Sequence, residues 1–428
     1  MAGKKIVIIG AASATFGPKV LRDIAHFTEL KGCTLSLVDI DAEALEAYRG
    51  VAERVNEAAG AELRIEATTD RREALPGADY VLTSIAPARN ELWQQDWEVP
   101  ARHGLRPAYG ENGGPAGLFH TLRNIPLLMG VCRDMEALCP DALLLNHTNP
   151  ESRLCMAISR YSRIEVLGLC HGVMIVLPRL AHLLGLELDN LDVVAAGINH
   201  FTWILDLRRR DTREDLYPLL RARLAEAPPD LLPLSRLVFD RFGLFPTPDD
   251  HHIAEYLTFG AEVGEHRPPD FSARDRGRAA RLARWAQQAR GEESLDEYFR
   301  GHSWADTLAF RIIDGVVNDR GHWLEAVNIV NEGRVTNLPE KAIVEVPALI
   351  DRHGIHAIHI GELLPGVAAL LKREILVQEL AVEAAIKGDR GLALQALLVD
   401  PVVDSVEAAE KTLDEILRLQ ADYLPQFK

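Results

Sequence analysis

The first 200 residues alternate short apolar runs with longer segments whose apolar residues recur at helical spacing. The pattern predicts strands at Lys5–Ile9 and Thr34–Val38, with helices at 18–28 and Ala42–Ala59. Further apolar runs end in small or polar residues, at 80–85, 142–146, 165–169 and 193–198. Such strand–helix–strand repeats are typical of proteins in which helices cover both faces of a parallel sheet. We therefore expect an α/β fold with a Rossmann-like, doubly wound parallel sheet.

The second half of the chain has a different pattern. From about residue 205, charge-rich amphipathic segments replace the short apolar runs, and the spacing over 365–400 and 406–423 is helical. A chain of 428 residues exceeds what one hydrophobic core usually supports. We expect a Rossmann-like domain over 1–200 and a mostly helical α+β domain over 201–428, the latter for substrate and oligomer contacts.

Charge and apolar content narrow the partners and the compartment. A net charge of −16 repels nucleic acid and anionic membranes. No run of about 18 apolar residues occurs, and the apolar run at 6–9 is too short for a secretory signal. Five cysteines without regular spacing argue against a disulfide framework. We expect a cytoplasmic protein that acts on a small molecule, without a nucleic-acid or membrane partner.

The segment after the first strand has features of a dinucleotide-binding loop. Gly10 follows the strand directly, where a tight turn lets backbone N–H groups approach a pyrophosphate at the next helix N-terminus. Ala12 and Thr15 stand where the second and third glycines of the usual fingerprint would be, and Ser13 and Phe16 belong to the same loop. Asp39 ends the second strand, where a carboxylate binds the adenosine ribose and disfavours a 2′-phosphate. These residues favour NAD; the alternative is a plain turn in which Asp39 caps the next helix.

Polar clusters follow three apolar runs, at 146–150, 170–172 and 199–200. If the runs are neighbouring parallel strands, the clusters gather at the sheet edge where open α/β sheets bind ligands. Thiolate and imidazole bind borderline divalent metals, so Cys170 and His200 are candidate metal ligands. The alternative is a buried core cysteine and a structural histidine.

Motifs along nearly the whole chain resemble those of glycoside hydrolase family 4. They are GAASATF at 10–16, Asp39, ENGGPAG at 111–117, NP at 149–150, CHG at 170–172, GINH at 197–200, DHHIAEY at 250–256, VNIVNEG at 327–333, VEVP at 344–347, GDR at 388–390 and DP at 400–401. Any one of them is weak evidence. Their number and order identify the chain as similar to this family.

The resemblance implies a fold of the lactate and malate dehydrogenase type and an α-glycosidase that needs NAD and Mn²⁺ or another divalent metal. In the family's mechanism NAD takes hydride from C3 of the sugar, and the ketone acidifies the C2 proton. A base removes that proton, the aglycone leaves by elimination, water adds at C1 and the hydride returns. The resemblance also implies a glycoside substrate and a homodimer or homotetramer.

The family's site residues can be carried over position by position. Cys170 and His200 match its metal ligands, and Asn149 matches its substrate and metal-shell amide. Arg89 matches its sugar-contacting arginine. Glu111 matches a carboxylate of the glycine-rich loop, for which the alternative is a hydrogen-bond acceptor that orders the loop.

The resemblance also suggests the acid and the base. His171 stands where phosphoglycosidase members carry Asp, which disfavours a phosphorylated sugar and makes its imidazole the candidate general acid. Asp250 aligns best with the base that removes the C2 proton, and Asp249 and His252 are rivals. Both aspartates could instead cap a helix. Glucoside, galactoside and uronide substrates stay open.

Two other functions are compatible with a dinucleotide-binding domain. An NAD-dependent 2-hydroxyacid or sugar dehydrogenase would share hydride transfer but would accumulate NADH. A non-catalytic NAD-binding regulator would cleave no glycoside.

Overall fold

The structure is a computed structural model that describes residues 3–264, 268–300 and 308–428. In these residues twelve strands form one sheet: β1 (Lys5–Ile9), β2 (Thr34–Val38), β3 (Arg64–Thr68), β4 (Tyr80–Thr83), β5 (Leu143–Asn146), β6 (Val166–Gly168), β7 (Leu191–Ile198), β8 (Phe201–Arg209), β9 (Phe245–Thr247), β10 (His322–Val330), β11 (Ile343–Asp351) and β12 (Gly354–Ala357).

Helices occupy both halves of the chain. They are α1 (Gly17–His26), α2 (Ala42–Ala59), α3 (Arg71–Ala74), α4 (Arg89–Arg102), α5 (Gly114–Leu138), α6 (Glu151–Tyr161), α7 (Gly172–Leu184), α8 (Tyr217–Glu226), α9 (Pro233–Phe242), α10 (Asp250–Ile253), α11 (Gly260–Val263), α12 (Phe271–Ala289), α13 (Asp296–Phe299), α14 (Leu308–Asn318), α15 (Pro365–Lys387), α16 (Arg390–Val399) and α17 (Val406–Leu419). Among the described residues, no helix is long and apolar enough to cross a membrane.

The sheet begins as the predicted parallel array. Its strands run in the order β3-β2-β1-β4-β5-β6, and each neighbouring pair is parallel. This is the strand order of dinucleotide-binding Rossmann folds. The carboxyl ends of β1, β4, β5 and β6 therefore lie along one edge, which confirms the predicted fold class.

The two faces of the parallel sheet carry separate cores because side chains alternate along each strand. In β1, Ile6 and Ile8 pack with α1 and α2, whereas Val7 and Ile9 pack with α5 and α6. A third core surrounds Trp203 in the second half. Helices on both faces leave the strand ends as the open edge.

The second half contributes more strand than its sequence pattern predicts. β6 pairs antiparallel with β10, and the order continues through β11, β7, β8 and β9, with β12 on β11. The pattern predicts none of the strands β8 to β12; in β11, for example, the apolar run is interrupted by Glu345, which is buried. Position 200 lies in the turn between β7 and β8, so the sheet continues across the expected boundary between 1–200 and 201–428, and that division stays a prediction.

Candidate active site

A cleft of about 1640 Å³ lies at the carboxyl ends of the parallel strands. The loops after β1, β4, β5 and β6 form one side, and the turns after β7 and β9, together with α12, contribute to the other. Its lining includes the expected site residues Gly10, Ala12, Ser13, Phe16, Asp39, Arg89, Glu111, Asn149, Cys170, His171 and His200. Residues from seven separate segments are thus brought into one cavity.

The loop after β1 is built around Gly10. Its φ of +88° is a left-handed conformation that favours glycine. A Cβ atom at this position would lie 2.3 Å from the carbonyl oxygen of Ser84, so the loop needs glycine for its approach to the end of β4. No side chain caps the N-terminus of α1. The loop therefore presents backbone and a free helix end to the cleft, as dinucleotide loops do.

Asp39 is fixed by the loop it faces. Its Oδ2 accepts a hydrogen bond from Ala12 N at 3.0 Å, and its Oδ1 accepts one from Asp41 N at 3.1 Å. The N-cap of α2 is Asp41, whose carboxylate accepts from Ala44 N at 3.1 Å. Asp39 is thus not the cap of α2, and its carboxylate borders the cleft.

Arg89 and Glu111 form an ion pair at the cleft wall. The guanidinium carbon of Arg89 also lies 5.2 Å from the centre of the Trp93 ring. Burial alone would raise the pKa of the Glu111 carboxyl, but Arg89, with nearby His252, His200 and His120, lowers this pKa to about 2. Glu111 is therefore a fixed negative charge at neutral pH.

His200 occupies the two-residue turn between β7 and β8. Its φ of 60° is uncommon for a residue other than glycine and directs the imidazole into the cleft. Asn112 Nδ2 lies 2.8 Å from His200 Nδ1. Burial lowers the pKa of His200 to about 3, so the ring is neutral and able to bind a metal.

His252 stands beside His200, with 4.2 Å between the ring centres. Its Nδ1 lies 3.3 Å from Glu255 Oε1. The other oxygen of Glu255 accepts hydrogen bonds from the backbone N–H groups of residues 111, 112 and 113. Burial alone would lower the pKa of His252, but the hydrogen bond and charge of Glu255, with Glu111 and Asp249, raise it. His252 is thus an oriented imidazole in a carboxylate-rich environment.

Among the described residues, Glu111, His200 and His252 form a group of potential metal ligands whose donor atoms all lie within 4.8 Å of one another. Cys170 is not part of that group, although it lines the same cleft. Its Sγ lies 3.3 Å from Gly172 N. Burial raises the pKa of the Cys170 thiol, and Glu345 and Glu151 raise it further.

His171 directly precedes α7 at its N-cap position. Its Nδ1 lies 3.4 Å from Lys19 Nζ, and its ring stacks on His147 with 6.0 Å between ring centres. The imidazole therefore faces the cleft from the side of the loop after β1, which leads into the helix that carries Lys19.

Asp250 requires a correction. Its carboxylate accepts hydrogen bonds from Leu234 N at 2.8 Å and from Ser235 N and Oγ at 2.9 and 2.5 Å. These bonds fix it to the start of α9, and Asp250 does not line the cleft. Its rivals Asp249 and His252 do line the cleft, and Asp249 also caps α10. The expected role of Asp250 as the base is therefore not supported.

Several residues in or next to the cleft were not predicted from the sequence; of these, Arg274 lines the cleft, and Glu255, Trp93 and Tyr109 contact residues that line it. Glu255 lies three residues after His252 and pairs with it. Because residues three apart on a helical turn are neighbours, this spacing could have predicted the contact. Trp93, Tyr109 and Arg274 come from three distant segments and meet only in the fold. Nothing in their local sequence indicates that meeting.

Comparison with known proteins is consistent with this architecture. Residues 5–186 match the model of the family 4 glycosyl hydrolases, and residues 195–403 match the model of the family 4 glycosyl hydrolase C-terminal domain. An α-glucosidase of Erwinia rhapontici is 34% identical over 466 residues, covering 99% of each chain. An α-galactosidase of Bacillus subtilis is 32% identical over 440 residues, covering 99% of this chain and 100% of the relative.

Solved structures agree on the fold. A 6-phospho-α-glucosidase from gut microorganisms, crystallised with NAD and Mn²⁺, has a TM-score of 0.86 at 19% identity and covers 99% of this chain and 100% of its own. Malate dehydrogenase of Plasmodium falciparum has a TM-score of 0.53 at 12% identity over 90% of this chain and 98% of its own. The second likeness confirms the expected similarity to the malate dehydrogenase fold. With both halves matched by the family models, the chain belongs to the family 4 glycosyl hydrolases.

Proposed function

We propose that the protein is an NAD- and divalent-metal-dependent α-glycosidase. The reaction would proceed by oxidation at C3 of the sugar, loss of the C2 proton, elimination of the aglycone, addition of water at C1 and reduction at C3. One observation carries the proposal: the Gly10 loop, His171, His200 and His252, whose Nδ1 faces Glu255, border a single cleft. The α-glucosidase and α-galactosidase names of the relatives support the α linkage.

The residues of the cleft fit both groups that this chemistry needs. When bound, the dinucleotide supplies reversible two-electron oxidation of the sugar hydroxyl, and the metal supplies a Lewis acid for the sugar oxygens. Gly10, Ala12, Ser13 and Phe16 would hold the dinucleotide phosphates and ribose together with Asp39. Two features support this assignment: position 10 has no room for a Cβ atom, and no side chain caps the start of α1.

Cys170 and His200 would hold Mn²⁺ or a similar divalent metal. Within the described residues, Asn112 Oδ1 is buried without a hydrogen-bond partner. Turning that amide over places the oxygen as an acceptor for Nδ1–H of His200, the tautomer that leaves Nε2 for a metal. A neutral histidine and a thiol suit a borderline divalent ion, and Glu111 provides a further oxygen near His200.

We assign the C2 base to His252 in place of Asp250. Its Nδ1 is held by Glu255, so its other ring nitrogen is available to accept a proton in the cleft. Asp249 is the weaker candidate because its carboxylate accepts the backbone N–H of His252 as the α10 cap. Glu255 acts as a positioning residue, since it fixes both the imidazole and the loop that carries Glu111.

His171 is proposed as the acid that protonates the departing glycosidic oxygen, and Arg89 and Asn149 as sugar-binding residues. His171 lies beside Lys19 at the cleft wall, so its ring is oriented from one side. Arg89 is anchored by Glu111 and Trp93, which limits the motion of its guanidinium. The parallel half of the sheet and the helices that cover it would keep water from the reacting atoms on that side.

A panel of aryl α-glycosides and α-uronides tests the proposal, assayed with NAD and Mn²⁺ and with each omitted or chelated. Release of the aryl group that needs both additions, without accumulation of NADH, is expected. Net accumulation of NADH without glycoside cleavage would instead indicate a hydroxyacid or sugar dehydrogenase. Dinucleotide binding without turnover of any glycoside would indicate a regulator.

We also propose that the protein works in the cytoplasm as a homodimer or homotetramer and that residues 201–428 supply the oligomer contacts. All five cysteines are free and buried, as expected in a reducing compartment. Light scattering of the purified chain would test the oligomeric state.

A further inference from the structure

One cleft arginine differs from the others in its environment. Arg274, in the first turn of α12, lines the cleft and donates a hydrogen bond to the hydroxyl of Tyr109. Its guanidinium carbon lies 4.8 Å from the centre of the Trp93 ring and 5.8 Å from that of Tyr109. The planar cation is therefore held against two aromatic rings and is only partly exposed.

Arg274 lacks a carboxylate partner in the described part of the chain. The other arginines that line the cleft on α12, and Arg89 opposite them, each pair with an acid: Arg278 with Asp41, Arg281 with Glu297 and Arg89 with Glu111. A partly buried charge is costly without a counter-ion. Because the chain carries a net charge of −16, a local cation of this kind would be needed to attract an anion.

A chain of ring contacts connects Arg274 to the reacting centre. The Tyr109 ring lies 5.0 Å from the ring of His252, which in turn lies 4.2 Å from His200. The guanidinium is thus in the same chamber as these histidines but is separated from them by the width of the Tyr109 side chain. A sugar whose O2 and O3 face His200 would direct its C6 substituent away from that residue.

We propose that Arg274 is a specificity-determining residue that binds an anionic substituent of the glycoside, either the carboxylate of a uronide or a phosphate on the sugar. A guanidinium forms paired hydrogen bonds with both groups, and stacking on Trp93 would hold its plane in place. The inference rests on the proposed glycosidase function. It narrows the substrate class from any α-glycoside to an anionic one.

The test compares aryl α-uronides, aryl α-glycoside 6-phosphates and neutral aryl α-glycosides of the same configuration, with NAD and Mn²⁺ present. The wild-type enzyme is expected to favour either the uronides or the 6-phosphates, and the preferred class shows whether Arg274 binds a carboxylate or a phosphate. Arg274→Gln should lower the ratio of anionic to neutral kcat/KM by about 100-fold, the order expected for loss of a charged hydrogen bond. Arg274→Lys should restore only part of that ratio, because lysine keeps the positive charge but lacks the paired N–H donors of the guanidinium.

Arg276→Gln is the matched control, because this arginine is exposed on the same helix and does not line the cleft. It should leave the ratio unchanged, and NAD affinity should be the same in all variants. Three outcomes would overturn this inference but not the proposed function. They are a wild-type preference for neutral glycosides, an equal fall in kcat/KM for anionic and neutral substrates in Arg274→Gln, and a fall in NAD affinity in that variant. Failure of the wild type to cleave any glycoside would overturn the proposed function and this inference together.

Discussion

At the residue scale, His200 combines an uncommon backbone conformation with a functional position. A residue other than glycine in the left-handed region costs about 1–2 kcal/mol. The turn between β7 and β8 is two residues long, so its geometry demands such a conformation. The strain is retained where it places an imidazole beside Glu111 and His252. A backbone outlier of this kind supports a functional role for the side chain.

The His252–Glu255 pair predicts a shift in the pH dependence of activity. A base must be neutral to accept a proton, so kcat/KM should fall as the pH drops below the raised pKa of His252. Glu255→Gln removes the charge that raises this pKa, and the acidic limb should therefore move to lower pH. The measurement is a pH profile of kcat/KM with saturating NAD and Mn²⁺.

Two variants control that experiment. Glu292→Gln, on the exposed surface, should leave the acidic limb unchanged. His252→Gln should reduce kcat by about 100-fold or more, as for loss of a general base. An acidic limb that stays in place in Glu255→Gln would exclude His252 as the titrating base.

Two sets of metal ligands are possible, one that includes Cys170 and one made of Glu111, His200 and His252. They predict different effects of substitutions on metal affinity. If Cys170 is a ligand, Cys170→Ala should weaken Mn²⁺ binding by at least about 100-fold, because even residues outside the ligand shell contribute 10–100-fold. Calorimetric titration of the NAD-loaded protein measures this affinity. Cys132→Ala, a buried cysteine outside the cleft, is the matched control. Unchanged affinity in Cys170→Ala, together with a loss in His252→Gln, would assign the metal to the three-residue group.

The position of most cleft residues could be predicted because these residues directly follow apolar strands. Gly10, Cys170 and His171 lie just after β1 and β6, and the parallel register brings those ends together. The failure at Asp250 has a local cause: two adjacent aspartates precede a short helix, and only the fold shows that one of them bonds to α9. Arg274 depends on contacts between segments more than a hundred residues apart. Sequence spacing carries no information about such contacts.

At the scale of elements, the junction between the parallel and antiparallel parts of the sheet is polar. β6 pairs with β10 at Asn328 and Gly168, and β11 pairs with β7 at Glu345 and Gly197. The carboxylate of Glu345 is buried and accepts a hydrogen bond from Thr202 Oγ1 at 2.5 Å. These side-chain bonds supplement the few backbone pairings at the junction.

Glu345 should make stability depend on pH. Burial raises its pKa from 4.5 to about 7, against the lowering effect of Thr202 and Asn328. A raised folded-state pKa stabilises the protein below pH 4.5, and this contribution is lost as the pH rises through about 7. This difference between the folded and unfolded pKa values of Glu345 corresponds to on the order of 3 kcal/mol in the free energy of unfolding.

Glu345→Gln should therefore flatten the decline in the free energy of unfolding between pH 4.5 and 7, as measured by urea unfolding across that range. Glu340→Gln, at an exposed position, should reproduce the wild-type profile. A decline that is as steep in Glu345→Gln as in the wild type would show that this carboxyl does not titrate with folding.

The same junction explains which elements could be predicted. β1, β2 and α2 follow uninterrupted patterns, and the bounds of all three match the expectation. β10 and β11 carry buried polar residues such as Asn328 and Glu345 in otherwise apolar runs, which hides them from periodicity. The hydrogen-bond partners of Glu345 lie on other strands, at Thr202 and Asn328, so the local sequence of β11 does not reveal them.

At the scale of the whole molecule, a Rossmann sheet and an antiparallel extension jointly form one cleft. The parallel half contributes the Gly10 loop and His171, whereas the turn before β8 and the segment after β9 contribute His200 and His252. Neither half contains all the groups that the proposed reaction needs. The central claim is therefore that oxidation at C3 and proton removal at C2 take place in one site without net consumption of NAD.

An aryl α-glycoside labelled with deuterium separately at C2 and at C3 tests this claim most directly. We predict that the C2 label is lost to solvent water during turnover while the C3 label is retained in the product sugar, with no accumulation of NADH. Retention of the C2 label, or turnover that survives complete removal of both NAD and metal, would contradict it.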